Sequence, residues 1–178
     1  MKEKKYFFGI LTYFKNERHI LNEWILHYKK WGVDHIWMVD NGSLDDYDIS
    51  EFIDEGYVTI YKEPTLDQQS AYDKYLKEIK KEVLWLFNCD LDEFLYSREK
   101  YNIKQILKEY YIMDMISIQM TIFFPATFET PLSVIETNVL RKCKDSNNCP
   151  KCIYNLDKVN KIGIHGIYNA KKKKTFYM

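Results

Sequence analysis

The sequence lacks a long apolar run, a net charge and a long linker. These absences argue against a membrane-spanning protein, a nucleic-acid-binding protein and a chain of several linked domains. No apolar stretch approaches the ~20 residues that a membrane-spanning helix needs. The basic start MKEKKYFFGILTYFKNE is not followed by a small-residue cleavage site of a signal peptide. Lys plus Arg and Asp plus Glu number 26 each, so the formal charge is zero, which argues against a nucleic acid partner.

These absences predict a soluble, cytoplasmic protein. The Lys run at 171–174 is predicted to be a solvated tail. A peripheral contact with anionic lipid headgroups at the inner face of the membrane is the alternative for this run.

Cysteine is scarce, and a cytoplasmic location predicts that Cys89 and the other thiols are reduced. Cys143, Cys149 and Cys152 could join His165 in a Cys₃His zinc site, which would make the chain an interaction module. The C-P-K-C segment has the inner spacing of such a site. A structural zinc site usually has two tight ligand pairs, however, and only one is present here.

The first half of the chain alternates between two kinds of pattern. Apolar runs that are typical of buried strands occupy 6–14, 35–40, 57–63 and 83–88. Segments with helical spacing of apolar residues occupy 17–32, 43–56 and 67–82. Asn16 and Ser43 are predicted to cap the first two helices, and Gly32 to end the first. This order predicts an α/β fold whose largely parallel sheet is covered by helices on both faces.

The second half has a weaker pattern. A short helix is predicted at 102–111, and the strict alternation of ISIQMTI (116–122) predicts a half-exposed strand. The pattern is irregular from 123 to 178. We interpret residues 1–178 as a single domain, with a binding half at 1–96 and a second half at 97–178.

Two carboxylates follow the fourth predicted strand directly. The segment FNCDLDEF (87–94) places Asp90 and Asp92 behind the apolar run VLWLF. Parallel α/β sheets bind ligands beyond the carboxyl ends of their strands. Carboxylate oxygens are hard ligands that suit Mg²⁺ or Mn²⁺, so the pair is a candidate metal site at the phosphates of a nucleotide. A solvated acidic turn is the alternative.

Polar residues also follow the first and second predicted strands. TYFKNE (12–17) and VDNGSLDD (39–46) would meet the same edge of the sheet as the acidic pair. An Asp at a strand end, such as Asp40, can accept hydrogen bonds from a nucleobase or a ribose. Good turn chemistry at Asn41 and Gly42 is the alternative explanation of the second segment.

Together these motifs resemble a known family of enzymes. The stretch TYFKNERHILNEWILHYKKWGVDHIWMVDNGSLDD, the glutamines at 68–69 with AYDKYL, and LFNCDLDEFL are similar to glycosyltransferases with a GT-A fold. More narrowly, they resemble the family 2-like and family 92 group, over residues 6 to 96. The resemblance implies a GT-A fold, which is a Rossmann-like sandwich. It also implies a nucleotide-sugar donor, with a UDP-sugar as the first candidate, and Mn²⁺ or Mg²⁺ as the cofactor.

The resemblance also implies roles for individual residues. Those implied at the nucleotide-sugar are Thr12, Asn16, Glu17, Asp40, Asn41, Ser43, Gln69 and Asp90. Those implied at the metal are Asp90, Asp92 and His165, the last from KCIYNLDKVNKIGIH (151–165). No catalytic base is assigned, because the spacing does not choose among Glu93, Glu129, Glu136, Asp145 and Asp157.

The function expected from the sequence is metal-dependent transfer of a sugar to a carbohydrate acceptor, such as a glycan or a lipid-linked or envelope polysaccharide. The family's W-x-x-F-G-S segment is replaced by QMTIFFPATFE, so the acceptor is weakly indicated. The chain is also short for the family and ends soon after His165. Nucleotidyl transfer is the enzymatic rival, although FKNERH is not the Gly-rich loop it would require. A degenerate, purely binding domain is a further rival, which the intact acidic pair argues against.

Overall fold

A seven-stranded mixed sheet forms the centre of the protein in the computed structural model. The structure describes residues 3–97, 102–124, 133–138, 140–141, 150–166 and 171–176. In chain order the strands are β1 (Tyr6–Phe14), β2 (His35–Asp40), β3 (Val58–Lys62), β4 (Val83–Asn88), β5 (Met115–Ile118), β6 (Phe123–Phe124), β7 (Leu140–Arg141), β8 (Lys151–Asn155) and β9 (Lys173–Phe176). The sheet order is β3-β2-β1-β4-β8-β5-β9, and β6 and β7 form a separate two-stranded sheet.

Most neighbouring strands are parallel, as the sequence predicts. β1 pairs in parallel with β2 and β4, β2 with β3, and β5 with β9. β8 is antiparallel to both β4 and β5. The predicted α/β fold with a mostly parallel sheet is therefore confirmed, and β1 lies between the two strands that carry the other polar segments.

Helices cover both faces of this sheet. They are α1 (Arg18–Lys30), α2 (Ser50–Asp54), α3 (Gln68–Glu82), α4 (Ile103–Glu109) and α5 (Val134–Thr137). Fully buried Trp24 and Tyr28 of α1 pack in one core cluster with Trp85 of β4. Tyr72 of α3 packs in a second cluster with Tyr154 of β8. Truncation of such a side chain to Ala typically costs about 3–5 kcal/mol.

Several predicted boundaries are wrong. The helix predicted at 43–56 shortens to Ser50–Asp54, because 43–49 forms a loop. α1 begins after Glu17, so Asn16 is not its cap; Asn16 has a positive φ of 57° instead. Ser43 is likewise no helix cap, because α2 begins only at Ser50; its Oγ accepts a hydrogen bond from the Asn16 N–H instead.

The strand predicted at 116–122 also differs. It runs from Met115 to Ile118, and all four of its residues are buried. Ile116 packs in one core cluster and Met115 in the other, so β5 is covered on both faces. A strand inside a sheet need not alternate between apolar and polar residues, and this one is flanked by β8 and β9.

Two strands of the central sheet, β8 and β9, lie in the segment after residue 123, where the irregular sequence pattern predicted no strand. β8 inserts between β4 and β5, and β9 includes part of the Lys run that was predicted to be a solvated tail. The run is therefore partly a strand and not a tail, although Lys171, Lys172 and Lys174 are exposed, as predicted for a solvated segment. No helix in the described part of the chain is long and apolar enough to cross a membrane.

Candidate functional site

Three carboxylates gather in the turn that follows β4. Asp90, Asp92 and Glu93 each offer an oxygen, and these oxygens lie within 4.8 Å of one another. The Asp90 N–H donates to Glu93 Oε2 at 3.0 Å, and the Glu93 N–H donates to Asp90 O at 3.2 Å, so the turn closes on itself. The donor set is all hard oxygen and fits a divalent cation such as Mg²⁺ or Mn²⁺.

A buried lysine reaches into this cluster from β8. Lys151 Nζ lies 2.8 Å from Asp90 Oδ2 and 3.3 Å from Glu93 Oε2, with its side chain only 3% exposed. Antiparallel pairing places Cys152 opposite Asn88 at the end of β4, so the start of β8 lies beside the turn. The described structure thus contains a protein-supplied cation within the acidic cluster.

The other oxygen of Asp90 is also occupied. Gln68 Nε2 donates to Asp90 Oδ1 at 3.0 Å and to the hydroxyl oxygen of Tyr72 at 3.0 Å. Asp90 is thereby held from two sides, by the start of α3 and by Lys151. Asp92, in contrast, is exposed.

The site concentrates negative charge in a partly buried place. Burial raises the pKa of Glu93 to about 7, even though the ammonium of Lys151 opposes the shift. Burial also raises the pKa of Glu17, and the charges of Asp92 and Asp90 add to this rise. Burial alone would lower the pKa of Lys151, but the neighbouring carboxylates raise it, so the ammonium is retained. Such perturbed groups at the mouth of a sheet are typical of functional sites.

The loops after β1 and β2 are tied to each other. Asn16 Oδ1 accepts a hydrogen bond from the Leu44 N–H at 2.7 Å, and the Asn16 N–H donates to Ser43 Oγ at 3.0 Å. One residue beyond Glu17, the Arg18 N–H donates to Asp45 Oδ2 at 2.8 Å. Residues predicted at the nucleotide-sugar therefore make contacts that fix the two loops as one unit.

Asp40 is the centre of a second charged group. Its side chain is 1% exposed, and it accepts hydrogen bonds from the Ser43 N–H at 2.7 Å, from the Tyr47 hydroxyl at 2.8 Å and from Lys62 Nζ at 2.6 Å. Burial would raise the pKa of Asp40, but the ammonium of Lys62 and the N–H of Ser43 outweigh it and lower the pKa. Asp40 is therefore a charged anchor for the loop.

Two amides in the predicted set bridge loops. Asn41 Nδ2 donates to the carbonyls of Glu63 and Leu66, at 2.9 and 3.2 Å. Gln69 Nε2 donates to the carbonyl of Ile162 at 3.0 Å, so its neighbour Gln68, rather than Gln69, contacts the acidic cluster.

Thr12 is fully buried within β1. Its Oγ1 has no hydrogen-bond partner among the described residues.

His165 is exposed and does not belong to the group of carboxylates within 4.8 Å. Its segment nevertheless passes the end of β4, because Asn88 Nδ2 donates to the carbonyl of Gly163 at 2.9 Å. Of the proposed zinc ligands, Cys152 is buried in the core, while Cys143 and Cys149 lie outside the described residues.

The predicted base candidates are scattered. Glu136 is exposed at α5 and Asp157 lies in the turn after β8. Glu129 and Asp145 lie outside the described residues. Glu93 is the member of this set that lies in the acidic cluster.

Sequence reasoning assigned no role to several side chains that build the site: Gln68, Tyr47, Lys62, Tyr72 and Lys151. Lys151 begins the segment 151–165, which the family resemblance singled out only for His165. A charged residue at the start of a buried strand is a second feature that could have drawn attention to it.

Comparison with known proteins gives both a fold and a family. Residues 1–349 of S. aureus TarS share the fold with a TM-score of 0.55 and 13% identity, over 96% of this chain and 58% of that one. The same fragment in complex with UDP gives a TM-score of 0.59 at 13% identity, over 97% and 60%. This chain thus spans about three fifths of the TarS fragment.

A second solved structure with this fold is the 4-diphosphocytidyl-2C-methyl-D-erythritol synthase of Anaerococcus prevotii DSM 20548. Its TM-score is 0.53 at 9% identity, over 97% of this chain and 87% of that one. At such identities the likeness concerns the fold alone. No curated protein sequence matches significantly. Residues 8–178 match glycosyltransferase family 92, nearly the whole chain, and the protein belongs to that family.

Proposed function

We propose that the protein transfers a sugar from a nucleotide-sugar to a carbohydrate acceptor, and that it uses a divalent cation to do so. The observation that carries the proposal is the cluster of Asp90, Asp92 and Glu93 at the carboxyl end of β4, in a chain of glycosyltransferase family 92. Ligands of open α/β sheets bind at this edge, next to the strand order change around β1. The family favours glycosyl over nucleotidyl transfer.

The carboxylates would hold Mn²⁺ or Mg²⁺ at the donor. Asp92 is the exposed member of the cluster and would be the principal ligand, supported by Glu93. A divalent cation bound there would supply positive charge to the diphosphate that departs from the sugar. Asp90, held by Gln68 and Lys151, would fix the position of the turn. His165 remains a predicted additional ligand.

The linked loops after β1 and β2 would bind the nucleoside. Asn16 and Ser43 fix these loops to each other, and Asp40 holds Tyr47 and Lys62 beside them. UDP is the first nucleotide to test, because TarS has been seen with UDP.

The acceptor is expected to be a carbohydrate, of the glycan or lipid-linked polysaccharide kind. The same proposal includes a cytoplasmic location, with a peripheral membrane contact through the Lys run at 171–174.

Thermal unfolding with UDP and UDP-sugars, with and without Mn²⁺, tests the proposal. A ligand at a hundredfold excess over its Kd stabilises by about 2.7 kcal/mol, which corresponds to about 5–10 °C for a chain of this size. We expect such a shift for the wild type with UDP and Mn²⁺ together. Asp92→Asn should lose the Mn²⁺-dependent part of it. Asp54→Asn, an exposed carboxylate on α2, is the matched control and should behave like the wild type.

The same samples should also hydrolyse a UDP-sugar slowly in the absence of acceptor, and Asp92→Asn should not. A wild type that no nucleoside diphosphate or nucleotide-sugar stabilises, with either cation, would overturn the proposed function. An Asp92→Asn variant with the full Mn²⁺-dependent shift would instead overturn the assignment of the cation to this cluster.

A further inference from the structure

Lys151 gives the acidic cluster a cation of its own. Resting on the proposed function, we propose that Lys151 is a positioning residue that prevents the cluster from binding a divalent cation by itself, so that the cation binds only together with the diphosphate of the donor. The contacts of the Lys151 ammonium with two of the three carboxylates carry this inference.

The first step is geometric. Lys151 Nζ lies 2.8 Å from Asp90 Oδ2 and 3.3 Å from Glu93 Oε2, so it faces the oxygens that a cation would need. Its side chain is 3% exposed and cannot simply turn out into solvent. Gln68 occupies the remaining oxygen of Asp90. Of the cluster, Asp92 alone is left exposed without a contact to Lys151 or Gln68.

The second step concerns charge. A divalent cation bound at Asp90 and Glu93 would lie close to the ammonium of Lys151, and the two like charges would repel each other. The side chains of Lys151 and Glu93 are only 3% and 18% exposed, so solvent screens this repulsion less than it would at the surface. One exposed carboxylate is a poor site for Mg²⁺ or Mn²⁺, which bind proteins through one or two carboxylates plus substrate phosphates. A diphosphate brings both oxygen ligands and negative charge. It would therefore complete the coordination at Asp92 and offset the repulsion from Lys151.

A purely structural ion pair is the competing explanation. A buried Lys that only neutralises Asp90 and Glu93 would, when replaced, destabilise the fold without making cation binding tighter. The affinity of the nucleotide-free protein for Mn²⁺ separates the two explanations, and it does not depend on enzymatic activity.

The experiment is a Mn²⁺ titration, followed by electron paramagnetic resonance of free Mn²⁺, on nucleotide-free protein. Lys151→Met removes the charge and keeps most of the apolar stem, while Lys151→Arg keeps the charge. Lys104→Met is the matched control, because Lys104 pairs with Asp34 at the opposite ends of the strands. We expect Lys151→Met to bind Mn²⁺ at least about tenfold more tightly than the wild type, the minimum that loss of a neighbouring like charge should produce. Lys151→Arg and Lys104→Met should match the wild type.

A folded Lys151→Met variant whose Mn²⁺ affinity equals that of the wild type would overturn the inference. If circular dichroism shows that this variant does not fold, Lys151→Gln takes its place, since its amide can still donate to Asp90, and the same criterion applies. A wild type that binds Mn²⁺ equally tightly with and without UDP also overturns it. If no nucleoside diphosphate or nucleotide-sugar binds with either cation, the proposed function fails, whereas the nucleotide-free comparison still decides the role of Lys151.

Discussion

Ionisable groups at the amino ends of the parallel strands have different surroundings from those at the carboxyl ends. At the amino ends, Asp34 accepts hydrogen bonds from the N–H groups of Phe7 and Phe8, both at 3.0 Å, and pairs with Lys104. At the carboxyl ends, carboxylates face one another within 4.8 Å. The amino edge pairs Asp34 with Lys104, whereas the carboxyl edge gathers three carboxylates around Lys151, although both edges belong to the same strands.

His35, at the start of β2, is a second ionisable group of the amino edge that is held by contacts within the protein. Its Nδ1–H donates to the carbonyl of Gly56 at 3.0 Å, and its Nε2 accepts from the Thr59 hydroxyl at 2.9 Å. Its ring stacks on Tyr6 with the centroids 4.7 Å apart. Burial lowers the pKa of His35 to about 4, so the ring is neutral at physiological pH. Both ring nitrogens of His35 are therefore satisfied within the protein.

The carboxyl edge retains charge that folding alone would not favour. The pKa of Glu93 is raised to about 7 by burial, and that of Glu17 is raised for the same reason. An ionised carboxylate with a raised pKa reduces the stability of the native state. The comparison teaches that the amino edge satisfies its charges, whereas the carboxyl edge, where we propose the binding site, retains charge that lowers stability.

The largest effect is expected at the amino edge, for Asp34→Ala. The change leaves two backbone N–H groups without their charged acceptor and should reduce the free energy of unfolding by about 3 kcal/mol. Urea denaturation of the metal-free protein measures it. Asp54→Ala, on the surface of α2, is the control and should stay within about 0.5 kcal/mol of the wild type. A loss below about 1 kcal/mol for Asp34→Ala would show that the amino edge is not the stabilising one.

At the carboxyl edge, Glu93→Gln should change the pH dependence of stability. The folded-state pKa of Glu93 is about 7 and its ordinary value 4.5, so the native state binds more protons than the unfolded state between these values. The contribution of Glu93 is therefore most favourable below pH 4.5 and is lost as the pH rises through 7. Between pH 5 and 8 the wild type should lose about 2 kcal/mol more than Glu93→Gln does.

The control for that change is Glu51→Gln, which alters an exposed carboxylate on α2. Its free energy of unfolding should follow the wild type at every pH. Parallel curves for the wild type and Glu93→Gln would remove the contrast between the two edges, because Glu93 would then carry no unfavourable charge.

The parts of this contrast that could be predicted from the sequence are the local ones. Strands β1 to β4 and helices α1 and α3 follow from apolar periodicity, and their order alone brings Asp40 and Asp90 to one edge. The buried residues of α1, such as Trp24, repeat at helical spacing. The local helical preference and the tertiary contacts therefore agree in this segment. The presence of neighbouring carboxylates at the end of β4 could therefore be predicted from the sequence.

The remainder depends on contacts between distant parts of the chain. Lys151 reaches Asp90 because β8, some sixty residues later, inserts beside β4, and no local pattern encodes that insertion. The loop at 43–49 was mistaken for helix because its conformation is held by Asn16 and Asp40, which lie outside it. Sequence periodicity reports burial but not the partner that buries a residue.

The smallest effect, and the sharpest test of the carboxyl edge as a unit, concerns Asn16. Its positive φ of 57° lies in the left-handed region, which Gly and Asn adopt more readily than Ala, and its side chain accepts from the Leu44 N–H across the two loops. Asn16→Ala loses the hydrogen bond and adds backbone strain, whereas Asn16→Gly loses only the bond, so Ala should be the less stable by about 1 kcal/mol. Both variants should weaken UDP affinity, measured by calorimetry with Mn²⁺, because both release the loop that holds Ser43.

Asn102→Ala, which removes the cap of α4 near the amino edge, is the control: it costs a similar amount of stability and should leave UDP affinity unchanged. Equal UDP affinities in all three variants would mean that the linked loops stabilise the fold but do not shape the nucleotide site.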